Sequence, residues 1–238
     1  RELNLPHIKE VRGEGLSNVC SQCPRLESVD LSGVENIDAA GMTGAFYRYT
    51  PSSSVTNPLT SIDLSSVKTV GRQGLQAFVA DSPSITSVDL SSLETVDYQG
   101  MLNFATGSSI SGELDLSSLI SIESYGLETA YRACPITSVD LSSLTTVKSH
   151  GLDHAFEYTQ LVTVTFTSLT DISDYGAFGN KALTSAFAHC SSLTSVSFPA
   201  LTPSSFGNGS DHFHNMLYDC SDVTVHFPAA VQSTIGSW

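Results

Sequence analysis

The stretch Ile136-Thr137-Ser138-Val139-Asp140-Leu141-Ser142-Ser143-Leu144-Thr145-Thr146-Val147, followed by Gly151-Leu152 and Ala155-Phe156, decides the fold, because the chain keeps returning to it. Close copies run from Ile85 to Val96 and from Leu59 to Val70, and a weaker one starts at Leu26. Self-similarity at a period of 20–50 residues is the mark of a solenoid. A single unit of this kind cannot bury its apolar side, whereas a stack of them can.

With the Asp of Val-Asp-Leu as phase marker, the coils fall at Asn4, Asp30, Asp63, Asp89, Asp115, Asp140, Thr165, Ser197 and His226. The spacings are 26, 33, 26, 26, 25, 25, 32 and 29 residues. A glycine stands eleven residues after the marker in the first seven coils, at Gly15, Gly41, Gly74, Gly100, Gly126, Gly151 and Gly176. Each coil has the same plan. The alternation around the Asp, as in Val29-Asp30-Leu31, predicts a short strand with its aliphatics inward and the Asp outward. A second apolar pair, such as Leu93 and Val96, predicts another extended segment. The i, i+3, i+4 spacing of Leu127, Ala130 and Tyr131 then predicts a turn or two of helix. Because every coil repeats one path, neighbouring strands are parallel, and eight coils at about 4.8 Å would give a sheet on the order of 40 Å long. The expected fold is an α/β repeat solenoid: a single domain over residues 1–238, made of about eight coils with a partial ninth, each a strand, a second extended segment and a short helix. Val223 to Pro228 reads as a last strand and Ala229 to Ile235 as the start of a closing helix.

Composition narrows the function classes. The chain carries 24 acidic and 10 basic residues, a net charge of −14. Nucleic acid needs clustered Lys and Arg on its partner, and anionic lipid does too, so both are poor ligands. No apolar run reaches membrane-spanning length. The chain begins mid-pattern, so trimming at one or both ends is expected.

The coils can also be compared with a known family. Leu-Thr-Ser-Val-Asp-Leu, then Leu-x-x-Val, then Ala-Phe-x-x-Cys resembles the BspA-type leucine-rich repeat. Leu114 to Cys134 is the fullest match, through Leu119, Ile122, Ala130, Tyr131 and Cys134. The coils run a few residues longer than is usual for that family, and Ser-Ser often stands where many members place Pro. The resemblance implies a leucine-rich repeat from a bacterial surface or secreted protein that acts in adhesion or protein binding. It implies no catalytic residue. The stack is expected to be right-handed and monomeric, with an extracellular protein or glycan as its ligand.

The most distinctive candidate site is the ladder Asp30, Asp63, Asp89, Asp115 and Asp140 on the outer side of consecutive strands. In-register carboxylates about 5 Å apart repel by roughly 1 kcal/mol per pair in water. Something must offset this. Bound Ca²⁺ is one option, and a basic ligand lying along the face is another. The local reading is an Asx-turn onto the following Leu-Ser-Ser, which would end each strand and bind nothing. No metal site or cofactor is assigned. Loop insertions at Tyr49–Pro58, Phe178–Leu183 and Pro203–Asp211 are further candidate binding surfaces.

Cys20 and Cys23 form a Cys-x-x-Cys, but the repeat accounts for both. Cys20 shares a column with Phe46, Phe156 and Phe187, and Cys23 shares one with Cys134, Cys190 and Cys220, so small buried thiols are expected. Cys190 and Cys220 on adjacent coils are expected to stay reduced, because in-register spacing is wide for a disulfide. His150 and His154 flank Asp153, and His212 and His214 flank Phe213. Both pairs could take a metal, and hydrogen-bonded or solvated side chains are the preferred reading. No nucleophile elbow, His-Glu-x-x-His or phosphate loop appears. The expected function is therefore a non-enzymatic binding or adhesion module. The alternatives are a structural spacer and, more remotely, a solenoid carbohydrate-active enzyme using adjacent ladder carboxylates.

Overall fold

The computed structural model describes residues 1–47, 58–172, 181–206 and 211–235. The chain winds into a parallel β-solenoid. In order come β1 (Glu2–Asn4), β2 (Glu10–Val11), β3 (Ser28–Asp30), β4 (Asn36–Ile37), β5 (Ser61–Asp63), β6 (Thr69–Val70), β7 (Ser87–Asp89) and β8 (Thr95–Val96). Then come β9 (Gly112–Asp115), β10 (Ser121–Ile122), β11 (Ile136–Asp140), β12 (Thr146–Val147), β13 (Thr163–Thr165), β14 (Ser195–Ser197) and β15 (Thr224–His226). A 3₁₀ turn at Pro203–Phe206 and a closing helix, α1 (Ala229–Ile235), complete the described elements.

Every phase marker ends a strand, and the markers pair with one another: Asn4 with Asp30, Asp30 with Asp63, Asp63 with Asp89, Asp115 with Asp140, Thr165 with Ser197, and Ser197 with His226. The inward neighbours are buried as the alternation requires. Ile62, Leu64, Val88, Leu90, Leu114 and Leu116 all lie in the core, while Asp63, Asp89 and Asp115 are exposed. The second extended segment of each of the first six coils contributes two residues to a six-stranded sheet running β2, β4, β6, β8, β10, β12. One apolar core extends from Val11 to Val231.

Two expectations need correction. The first is the helix in each coil: among the described residues, α1 is the only α-helix. In its place is a ribbon of overlapping turns. Gly74, Gln76, Phe78 and Ser82 donate their N–H groups three residues back, to the carbonyls of Gly71, Gln73, Leu75 and Val79. The intervening Leu75, Ala77, Val79 and Asp81 donate across to Gly100, Leu102, Phe104 and Thr106 of the next coil, at 2.8–2.9 Å. Every fourth residue is left-handed, as at Gln73 (φ 56°), Ala77 (φ 50°) and Asp81 (φ 53°). A positive φ at the third position of a turn is the mark of type II. A left-handed L-residue costs about 1–2 kcal/mol, and the inter-coil hydrogen bonds, absent from any isolated coil, offset it. A period of four residues places Leu127, Ala130, Tyr131 and Cys134 all inward and fully buried. A helix of period 3.6 would give the same apolar spacing over so short a segment.

The second correction concerns the strand face, which is not one continuous sheet. It divides into β1-β3-β5-β7, β9-β11 and β13-β14-β15, while the six-stranded sheet behind it stays intact past the first division. The cause of the break between β7 and β9 is local. Leu59 precedes Asp63 by four residues, Ile85 precedes Asp89 by four, and Ile136 precedes Asp140 by four, but Ile110 precedes Asp115 by five. Gly112, within the longer step, has a φ of +79°, and in the β9–β11 pair the register slips by one residue on β11, where Thr137 is skipped between Ile136 and Ser138. An extra residue bends its strand and interrupts the ladder, as β-bulges do.

The aromatic column is longer than the Ala-Phe pairs suggested. Successive ring centroids from Phe46 through Phe78, Phe104, Tyr131 and Phe156 to Phe187 lie 5.1, 5.6, 5.6, 5.7 and 5.8 Å apart. Phe166, Phe198 and Phe227 continue the stacking toward α1.

Candidate functional site

On the strand face, each ladder carboxylate caps its own strand. Asp30 Oδ1 accepts from the Ser32 N–H at 3.2 Å and the Ser32 hydroxyl at 2.7 Å. Asp63, Asp89, Asp115 and Asp140 accept from the N–H of Ser65, Ser91, Ser117 and Ser142 at 2.9, 3.0, 2.9 and 2.8 Å. Asp-Leu-Ser recurs because the chain must turn inward after each strand, and the N–H two residues on is then left for a side-chain acceptor. These bonds engage Oδ1 alone. The hydroxyl and N–H of Ser117 hold the Asp115 carboxyl below the usual carboxylate range, and those of Ser32 do the same for Asp30. Both are therefore anionic near neutral pH, the opposite of what a general acid needs.

The middle of this face is hollowed. A groove of about 590 Å³ runs across β5, β7 and β9, carrying Asp63, Asp89, Glu113 and Asp115 among serines, Thr86 and aliphatic side chains such as Val88 and Leu114, and among the described residues its lining holds no Lys, Arg or His. Sequence reasoning had the three aspartates but not Glu113 or the opening itself. The signal that could have found them is the five-residue step from Ile110 to Asp115. A second groove, of about 470 Å³, lies over the six-stranded sheet and mixes Arg12 and Asn36 with Asp38, Asp97 and Glu123. Among the described residues, no three of His, Cys, Asp and Glu converge closely enough to hold a metal ion. Of the insertions, Tyr49–Pro58 falls outside the described residues except for Pro58, whereas 181–183 of Phe178–Leu183 and 203–206 and 211 of Pro203–Asp211 are described.

His150, His154 and His189 are partly exposed residues of the turn ribbon. His150 and His154 both occupy left-handed positions, and both turn to the buried Asp153, with His150 Nδ1 2.6 Å from Oδ2 and His154 Nδ1 2.5 Å from Oδ1. On the neighbouring coils the structure adds residues the spacing had not singled out. Arg132 Nε donates to Glu157 Oε2 at 2.6 Å, and His189 Nδ1 lies 3.0 Å from Asp219 while stacking on Tyr158 at 4.4 Å. Glu128, half-buried and near Asp153, has its carboxyl pushed above the ordinary value, first by desolvation and then by the Asp153 charge. His212 is buried, with Nε2 3.1 Å from the Phe206 carbonyl, and His214 Nδ1 lies 3.5 Å from Asp211.

All five cysteines are free. Cys134 and Cys190 are buried as expected, but Cys20 is only half-buried and Cys23 is exposed. The difference follows from position: Cys20 and Cys23 lie on the first coil, whose other side no described coil covers. Within the stack the column is more than packing. Cys134, Cys190 and Cys220 each direct Sγ at a carbonyl of the preceding coil, of Ala105, Phe156 and Phe187, each at 3.1 Å. Ser82 Oγ does the same toward Phe46, also at 3.1 Å. The column selects a small side-chain donor, and a thiol is a weak one.

No protein-family model matches the chain, and no curated protein matches it. Among solved structures, a leucine-rich repeat protein from Bacteroides ovatus is similar at 19% identity and a TM-score of 0.44. The similarity covers 94% of this chain and 60% of that one. No helix among the described residues is long and apolar enough to cross a membrane.

Proposed function

We propose that the chain is a leucine-rich-repeat binding module of the BspA type, non-enzymatic, that presents its strand face to an extracellular protein or glycan and belongs to a bacterial surface or secreted protein. The observation that carries the reading is the half-used ladder. The local hydrogen bonds explain an Asp at every strand end, yet they occupy one oxygen of each carboxylate and leave the other for a partner. Asp63, Asp89 and Asp115 share one groove, and outward side chains from a repeated rigid scaffold are how solenoids present extended binding surfaces. Like charges in register disfavour the sheet, and Asp30–Asp63–Asp89 and Asp115–Asp140 are paired in register, a repulsion that a partner of opposite charge would relieve. The lowered Asp30 and Asp115 carboxyls argue against an acid–base pair. Binding of Ca²⁺ along the ladder is the lesser reading, and a monomer is the proposed state.

The test is solid-phase binding of the purified chain to a panel of matrix proteins and glycans, with and without Ca²⁺. A variant with Asp63, Asp89 and Asp115 all changed to Asn runs alongside after its melting curve has been matched. Binding lost in the folded variant supports the strand face. Equal binding by both moves the site elsewhere, and no binding by either favours the spacer, for which strand-end hydrogen bonding is the ladder's whole role.

A further inference from the structure

The bulge does more than interrupt a sheet. β7 and β9 belong to consecutive coils, yet they share no ladder pairing, and nearly all their Cα pairs lie more than 8 Å apart. Paired strands stand about 4.8 Å apart. The separation is confined to these strands. Just before them, Ser111 N–H still reaches the Thr86 carbonyl at 3.3 Å, and just after them the Ser118 hydroxyl donates to the Ser91 carbonyl at 2.7 Å. Behind them, β8 and β10 remain paired through Thr95–Ser121 and Val96–Ile122. These two coils are thus joined before, after and behind β7 and β9, and a slot is left between the two strand edges on the strand face.

We infer that this slot is a specificity pocket for one cationic side chain of a partner protein, arginine in preference to lysine. The inference rests on the strand-face reading above and says where on that face recognition is sharpest. Edge strands offer backbone carbonyls that a neighbour would otherwise occupy, and Asp89 and Asp115 stand at the two edges with Glu113 beside them. Among the described residues the lining supplies acceptors and negative charge and contains no Lys, Arg or His, so charge complementarity selects a cation. A flat slot with acceptors on both sides suits the planar fork of a guanidinium, whose five donors engage carboxylate and carbonyl together, better than a compact, strongly hydrated ammonium. The occupant is a side chain and not an added strand, because the coils reconnect at both ends of the opening and leave no room for a chain to run through. The rest of the partner would lie across the strands, along the Asp63–Asp89–Asp115 rungs.

The experiment uses three capped peptides, Gly-Ser-X-Ser-Gly with X as arginine, lysine or citrulline, titrated into the isotopically labelled chain and followed by amide NMR shifts. Citrulline keeps the shape of arginine and removes its charge. The arginine peptide should move amides of Ser87–Ser91 and Gly112–Ser117 together. The citrulline peptide should bind about tenfold more weakly or worse, the consequence of losing a charge-assisted contact. Deleting Gly112 restores the four-residue step of the other coils and should close the slot, abolishing the preference. Ser87→Trp, which leaves the register alone and fills the groove from an outward strand position, covers the case in which the deletion fails to fold. Equal binding of arginine and citrulline peptides overturns the inference, as does arginine binding that survives both variants or spreads evenly over the Asp30 and Asp140 rungs. If the strand-face variant of the previous section still loses its matrix or glycan ligand, those outcomes leave the wider reading standing and remove only the slot. If that ligand is unaffected too, the strand-face reading fails with it.

Discussion

Tyr131 occupies a position in the aromatic column that other coils give to Phe, and it is fully buried. Its hydroxyl has no hydrogen-bond partner among the described residues, and desolvation holds its pKa well above the ordinary tyrosine value. An unsatisfied buried hydroxyl costs about 1–3 kcal/mol, whereas the ring keeps its stacking on Phe156 at 5.7 Å without it. Tyr131→Phe should therefore raise the urea midpoint, by an amount equivalent to about 1–3 kcal/mol. Glu128 makes a second case at this scale. Its carboxyl is held above the ordinary glutamate value of 4.5 by burial and then by Asp153, so folding favours the protonated form. The stability this group contributes is full below pH 4.5 and is lost as pH rises through the folded-state pKa. Glu128→Gln should stabilise the chain at pH 8 and leave it unchanged at pH 4, and urea midpoints at the two pH values check it. A gain of equal size at both would remove titration as the cause.

The ribbon that replaces the helix depends on the glycine column at its entrance, and the requirement there is space. A Cβ on Gly126 would lie 2.7 Å from Ile122 Cγ2 and 2.9 Å from the Glu123 carbonyl, and one on Gly151 would lie 2.8 Å from Val147 Cγ1. The left-handed residue is the one before each glycine, Tyr125 or His150. The chain doubles back over the aliphatic residue of the second strand, and only a missing side chain lets it do so. Gly126→Ala should lower the melting temperature by the equivalent of about 1–3 kcal/mol, the cost of overpacking a filled site. Loss confined to amide protection of neighbouring coils would place the damage in this element. The same glycines were legible as an invariant offset from the phase marker. The helix was misread in the same segment because left-handed turns are normally announced by Gly or Asn. Here Gln73, Ala77, Asp81 and Thr129 adopt that conformation, held by inter-coil hydrogen bonds that no single coil displays.

For the molecule as a whole, a net charge of −14 with in-register carboxylates on the strand face means the folded stack carries self-repulsion. Exposed charges are screened over about 10 Å at 0.1 M salt, so raising NaCl from about 10 mM to 500 mM should raise the melting temperature. The Asp63/Asp89/Asp115→Asn variant should show a smaller rise. A melting temperature that falls with salt would mean that ion pairs such as Lys9–Glu35 and Lys148–Asp171 outweigh the repulsion.

The sequence by itself determined the coil count, the phase of every strand, the parallel stacking and the inward columns. These depend on which side chains are apolar, and burial repeats that choice in each coil independently of its neighbours. The Asp ladder and the His150–Asp153–His154 grouping were legible for the same reason. The tertiary structure alone decided the turn ribbon, the hydrogen-bonding role of the cysteine column and the slot between β7 and β9. Each of these depends on a hydrogen bond between one coil and the next: Leu75 to Gly100 in the ribbon, Cys134 to Ala105 in the column, and the missing β7–β9 pairs at the bulge. Such bonds join residues about one coil apart in sequence, so the pattern within a coil carries no record of the first two, and the third left only the five-residue step from Ile110 to Asp115, which by itself does not say that two strands part.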